Sequence, residues 1–151
     1  MFSKFNGSFI PQLTFVNSIG QEIDRLVGFI EPVSYLNYLQ KIINNEGTYL
    51  DVLSRIESGD RSPEVLIELA KKYSDRNELD KASTYYNEAL LGRNLSLDDS
   101  MEARYFLALQ DLRSGDDTKI LDLIEAYPNN EKTNNALFEL ANYYALSEEH
   151  D

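Results

Sequence analysis

The residue types that carry out most covalent and metal chemistry are nearly missing from this chain of 151 residues. It has no cysteine and no tryptophan, and its single histidine is His150, one residue from the end. Disulfides, thiolate metal sites and cysteine nucleophiles are therefore excluded within these residues, and a Ser-His-Asp triad is not expected. We predict a protein that is not an enzyme and that uses no cofactor.

The sequence also contains two acidic pairs, Asp98-Asp99 and Asp116-Asp117. Carboxylate groups bind cations in many proteins, so these pairs are candidates for a metal site. Each pair lies at the predicted start of a helix, where the positive end of the helix dipole stabilises carboxylates without a metal. The second pair also lacks the spaced oxygen ligands and the central glycine of an EF-hand loop. We therefore expect no metal site.

Net charge narrows the range of partners. The chain has 14 Lys and Arg against 26 Asp and Glu, which gives a net charge of −12. Nucleic acid and anionic membranes both require clustered basic residues, so we expect neither as a partner.

Residues 1–20 lack the unbroken apolar stretch and the cleavage site of a signal peptide. We expect a cytoplasmic protein, or a periplasmic one if the true N-terminus lies upstream.

The first 60 residues are predicted to form a β-hairpin followed by two helices. Residues 13–16 and 22–27 are rich in β-branched and apolar side chains and are separated by turn residues at 17–20. Pro32 then opens a helix over residues 32–45, since proline is well tolerated in the first helical turn. A second helix is expected over residues 50–59.

From Ser62 onward the sequence predicts five more helices. Ser62 and Pro63 form an N-cap and a first-turn proline, and Ser96 with Asp99 resembles a capping box. Pro128 cannot continue a helix and ends the fourth of them. The predicted helices span about residues 62–74, 77–91, 96–113, 116–127 and 131–146.

These helices show a repeating pattern of large and small residues. The central pair Leu69-Ala70 recurs as Leu107-Ala108 and as Leu140-Ala141, at intervals of 38 and 33 residues. The first helix pair resembles a tetratricopeptide repeat, in which small residues let two helices approach closely. Its pattern positions are Leu66, Leu69, Ala70, Tyr73, Ala82, Tyr86 and Ala89. The alternative is an ordinary bundle of amphipathic helices.

The tetratricopeptide resemblance implies a concave surface lined by the first helix of each repeat. Family members clamp a C-terminal carboxylate with Lys, Asn and Arg side chains, and only Lys71 and Asn142 partly match that set. Tyr105 and Phe138 are therefore expected to anchor an apolar or basic segment instead. The alternative is that these side chains only cover neighbouring helices. The implied peptide-binding residues are Ile67, Lys71, Tyr105, Phe106, Leu109, Phe138 and Asn142.

The stretch at residues 9–16, the stretch at residues 25–29 and the helix after it resemble the C-terminal half of a thioredoxin fold. The resemblance implies that Pro11 is a cis-proline, that Ile10 and Pro11 contact a substrate peptide, and that Gly28 borders this groove. The alternative is a trans-proline at a strand edge. The Cys-x-x-Cys motif of that family is missing from this sequence.

Together these patterns predict a mainly α fold, in which tetratricopeptide-like antiparallel helix pairs form a right-handed superhelix. The expected segments are a partial thioredoxin-like hairpin and helix (1–46), a linking helix (47–61) and the repeats (62–151). We expect a non-catalytic protein-protein interaction module. The alternative is a fragment of a thiol-disulfide oxidoreductase or thioredoxin-like chaperone. The incomplete sheet also predicts a weakly ordered or oligomer-forming N-terminus. A homo-oligomer could form through this sheet or through the C-terminal half repeat.

Overall fold

The structure, a computed structural model, describes residues 11–148. This part of the chain is mainly helical, with one small antiparallel hairpin, as the sequence predicted at this coarse level. The elements are β1 (Gln12–Val16), β2 (Glu22–Val27), α1 (Pro32–Asn44), α2 (Tyr49–Glu57), α3 (Pro63–Asp75), α4 (Leu79–Leu91), α5 (Leu97–Arg113), α6 (Thr118–Ala126) and α7 (Glu131–Glu148). The chain forms two compact units, the first ending at Gly92 and the second beginning at Arg93. This division falls inside the range 62–151 that the sequence assigned to repeats.

The hairpin has the strands and the turn that the sequence predicted. β1 pairs antiparallel with β2, with Phe15 opposite Asp24, and the register shifts by a bulge between Phe15 and Val16. The side-chain oxygen of Asn17 accepts hydrogen bonds from the backbone N–H groups of Ile19 (3.1 Å) and Gln21 (2.9 Å), which closes the turn.

Ser96 and Ser62 are both predicted to cap the start of a helix, but only Ser96 does so with its side chain. The Ser96 hydroxyl accepts a hydrogen bond from the backbone N–H of Asp99 at 3.1 Å, as expected for a cap. Ser62 is also an N-cap residue, but its side chain makes no capping bond. Its hydroxyl donates instead to the carboxylate of Asp60 at 2.8 Å, because a charged acceptor two residues away forms the stronger bond.

The core of the first unit is centred on α3, which packs against α2, α4 and β2. All seven residues of the predicted large-small pattern are buried, and Ala70, Ala82 and Ala89 have no exposed surface. Gly92 permits a close approach at the end of α4. A Cβ atom there would lie 2.4 Å from Cγ of Pro63, so no larger residue fits without a shift.

The second unit has its own core, in which α5, α6 and α7 all contact one another. Its buried members are Met101, Ala108, Leu112, Ile120, Leu123, Ala136 and Leu140. The Thr133 hydroxyl, at the start of α7, donates to the Tyr127 carbonyl at 2.5 Å and joins α7 to the end of α6. Among the described helices of both units, none is long and apolar enough to cross a membrane.

Candidate functional site

Pro11 and Gly28, two of the residues predicted to contact a peptide, lie side by side. The backbone N–H of Gly28 donates to the carbonyl of Pro11 at 2.9 Å, just beyond the last residue pair of the hairpin. Gly28 has φ of +85°, a left-handed conformation that a residue with a side chain adopts only under strain. The hairpin therefore brings these two backbone segments together and turns the chain toward α1.

An apolar groove of about 320 Å³ opens at this point, and we call it the N-terminal groove. Its walls come from β1, the end of β2 and the start of α1, and Tyr35 contributes the one polar side chain among them. Phe29 is 83% exposed at its edge. The lining residues are Pro11, Leu13, Leu26, Gly28, Phe29, Ile30, Pro32 and Tyr35. A groove of this size and composition suits an apolar side chain rather than a charged ligand. Ile10, also predicted to contact a peptide, lies outside the described residues.

A buried cluster of charged side chains, which the sequence analysis did not predict, joins β2 to α3. We call it the ionic cluster. Glu22 accepts two hydrogen bonds from Arg25, at 2.8 and 2.7 Å, and also pairs with Arg76, whose Nη2 lies 2.6 Å from Glu22 Oε1. Asp24 forms an ion pair with Lys72. Asp24, Arg25 and Arg76 are each at most 3% exposed, so these charges depend on one another rather than on water.

Aromatic rings and backbone groups complete the ionic cluster. The ring centroid of Tyr49 lies 3.7 Å from Cζ of Arg76. Arg76 Nη1 also donates a hydrogen bond to the carbonyl of Lys72 at 2.7 Å. The Tyr38 hydroxyl donates to the Arg25 carbonyl at 2.8 Å. The Tyr38 hydrogen bond thus links α1 to β2, and the ring contact links α2 to Arg76 at the end of α3.

Burial is the largest cause of the pKa shifts of Tyr38, Asp75 and Arg76, which lie in or beside the ionic cluster. It raises the pKa of Tyr38 above its ordinary value and also raises the pKa of the Asp75 carboxyl. It lowers the pKa of Arg76, against the opposing effect of Glu22 and Asp24. For Arg25 the hydrogen bonds to Glu22 outweigh burial and raise the pKa. Shifted pKa values mark many active sites, but paired structural charges also produce them. Here each carboxylate of the ionic cluster faces a cation, as in a structural network.

The residues predicted to line a concave surface are distributed over both units. Ile67 is only 2% exposed. Since α3 packs against neighbours on several sides, the Ile67 side chain belongs to the core rather than to a surface, while Lys71 is exposed.

In the second unit, Tyr105, Phe106 and Leu109 are half-buried, and Phe138 (66% exposed) and Asn142 are exposed. The ammonium group of Lys132 lies 5.5 Å from the ring centroid of Tyr105 and forms an ion pair of 2.5 Å with Glu102. Binding of a peptide by these residues stays a prediction.

Within residues 11–148, no three His, Cys, Asp or Glu side chains are arranged so that they could hold a metal ion.

No family model matches the chain, and comparisons with curated proteins and with solved structures find no match either.

Proposed function

We propose that this protein is a non-catalytic protein-interaction module that binds an extended, apolar polypeptide segment at the N-terminal groove. The observation that supports the proposal is the shape and composition of this groove. Phe29 stands at its edge with 83% of its surface exposed, and Val33 and Leu36 continue the exposed apolar surface along α1. Exposed apolar surface that lies next to a groove is typical of a protein interaction site.

The hairpin offers a way to bind the backbone of such a segment. In the described part of the chain, the sheet consists of β1 and β2 alone. An extended peptide can add to a strand edge through main-chain hydrogen bonds, while its alternate side chains fill a neighbouring pocket. Leu13 is a residue of β1 and also lines the N-terminal groove. A peptide on β1 would therefore reach the groove with its apolar side chains.

The N-terminal groove carries no reactive group of its own among its lining residues, and the sequence holds no cysteine. The alternative function, part of a thiol-disulfide oxidoreductase or thioredoxin-like chaperone, would need a Cys-x-x-Cys motif outside these residues. A disulfide-reduction assay on this chain is expected to give no turnover above buffer. Measurable turnover would contradict a non-catalytic function.

The proposal is tested by screening the chain on an array of peptides that vary in apolar and charged content. We expect binding to peptides with spaced apolar residues, and loss of that binding in Phe29→Ser. Ile19→Ser is the matched control, because Ile19 is equally exposed, at 84%, but lies in the hairpin turn outside the groove. If both variants lose binding equally, or if neither does, the N-terminal groove is not the binding site.

A further inference from the structure

Helix α7 is apolar on two different sides. One side, with Ala136 and Leu140, is buried in the core of the second unit. Another side, which we call the outer face of α7, consists of Leu137, Phe138, Ala141, Tyr144 and Ala145. These five residues are all exposed, with values of 49% for Leu137, 66% for Phe138 and 43% for Tyr144. A helix that is apolar on this much of its circumference is normally covered on both sides.

The spacing of the outer face suits a helix as the covering element. Residues three, four and seven positions apart lie on the same side of a helix, which places Leu137, Ala141 and Tyr144 in one row. Ala141 and Ala145 are one turn apart and are small, with larger side chains on either side. Such a depression between ridges is the shape into which the ridge of a second helix packs.

The outer face is held in position by the rest of the second unit. The Tyr144 hydroxyl donates a hydrogen bond to the Asp117 carboxylate at the N-cap of α6. At the other end of α7, Thr133 is bonded to the carbonyl of Tyr127. A surface fixed at both ends loses little conformational entropy when a partner binds.

Charge decides which kind of helix would bind. From Arg93 to the end, the chain has five Lys and Arg against thirteen Asp and Glu, a net charge of −8. Two of the cations already form ion pairs, Lys119 with Asp111 at 2.6 Å and Lys132 with Glu102 at 2.5 Å. A second copy of this unit would bring the same negative charge and be repelled. A basic partner would instead be attracted.

We propose that the outer face of α7 binds an amphipathic helix whose apolar stripe is flanked by lysine and arginine residues. This site is separate from the N-terminal groove and belongs to the other unit. A failure of one proposal therefore leaves the other untouched, since each is tested with its own variants.

The probe is a synthetic helical peptide of the same length as α7, 18 residues, with leucine and alanine on one side and lysine and glutamine elsewhere. We expect the full chain to bind it, and to bind at least tenfold more weakly to a version with glutamate in place of lysine. Ala141→Glu places a charge in the middle of the outer face and should abolish binding. Phe138→Ala, which cannot disturb the core from an exposed position, should weaken it about tenfold.

Leu146→Ala is the matched control, because Leu146 is 60% exposed on α7 but does not belong to the outer face. It should bind like the unchanged chain. Equal binding of the lysine and glutamate peptides would overturn the charge argument, and equal binding by Ala141→Glu would overturn the site. If size-exclusion chromatography shows a dimer that Ala141→Glu dissociates, a second copy occupies the face and the proposal is wrong.

Discussion

Removal of the Asp24 carboxylate should weaken the attachment of the hairpin to α3. Asp24 is 1% exposed and pairs with Lys72, whose side chain is 13% exposed, while Arg76 Nη2 lies 3.8 Å from Asp24 Oδ1. Taking away one partner of a buried ion pair leaves the other charge uncompensated, which typically costs about 3–5 kcal/mol. Because Lys72 is partly exposed and can recover some hydration, we expect Asp24→Ala to lower the free energy of unfolding by about 3 kcal/mol.

The assay is urea unfolding, followed in the first unit by hydrogen exchange of the β2 and α3 amides because the chain has two compact units. With a denaturant slope of about 2 kcal/mol/M, the midpoint should fall by roughly 1.5 M. Glu46→Ala removes the same charge from an exposed position of this unit and should change stability by less than about 0.5 kcal/mol.

A double variant distinguishes the net contribution of the Asp24–Lys72 ion pair to stability from the stability lost when only one partner is removed. Replacing a buried ion pair by apolar residues of similar volume is often neutral, so Asp24→Leu with Lys72→Met should recover most of the lost stability. The ion pair between Arg76 and Glu22, with Nη2 and Oε1 2.6 Å apart, is not touched by this double substitution. The reasoning is refuted if Asp24→Ala costs less than about 1 kcal/mol, or if the double variant is less stable than the single one.

Three further substitutions test other parts of the fold. Gly92→Ala should lower stability by about 1–3 kcal/mol in thermal unfolding, because the new Cβ collides with Pro63. Ser96→Ala removes the N-cap of α5 and should cost about 1 kcal/mol by the same measurement. Burial raises the pKa of Asp75 in the folded state, so its charge destabilises the fold near neutral pH. Asp75→Asn should therefore be more stable than the unchanged chain near pH 7, and this advantage should shrink as the pH falls through the folded-state pKa, seen as converging urea midpoints.

Element positions could be predicted because their signals are local. The two prolines that open α1 and α3, and the serine that caps α5, each act within one helical turn. Asn45 directly follows α1 and Asn77 lies two residues beyond the end of α3, and both take the left-handed conformation that asparagine tolerates better than most residues. Such features can be recognised from a few neighbouring residues, without knowledge of the rest of the chain.

The ionic cluster could not be predicted because the pairs that join β2 to α3 are not local. Lys72 and Asp24 are 48 positions apart, and nothing in either neighbourhood distinguishes them from exposed charges. The placement of Ile67 illustrates a related difficulty. A repeat pattern gives its position on α3, but its burial depends on packing by elements from distant parts of the sequence. Long-range packing of this kind is decided by the whole fold.

Strand β2 connects the ionic cluster to the N-terminal groove. Asp24 and Arg25 belong to the cluster, and Leu26, the next residue, lines the groove. Loosening the cluster should therefore displace a wall of the groove without changing any of its residues. Asp24→Ala is then expected to weaken binding of an apolar peptide at the groove, whereas binding of a basic helix to α7, in the second unit, should not change. If Asp24→Ala weakens both interactions, its effect is not confined to the first unit, and the explanation through β2 is wrong.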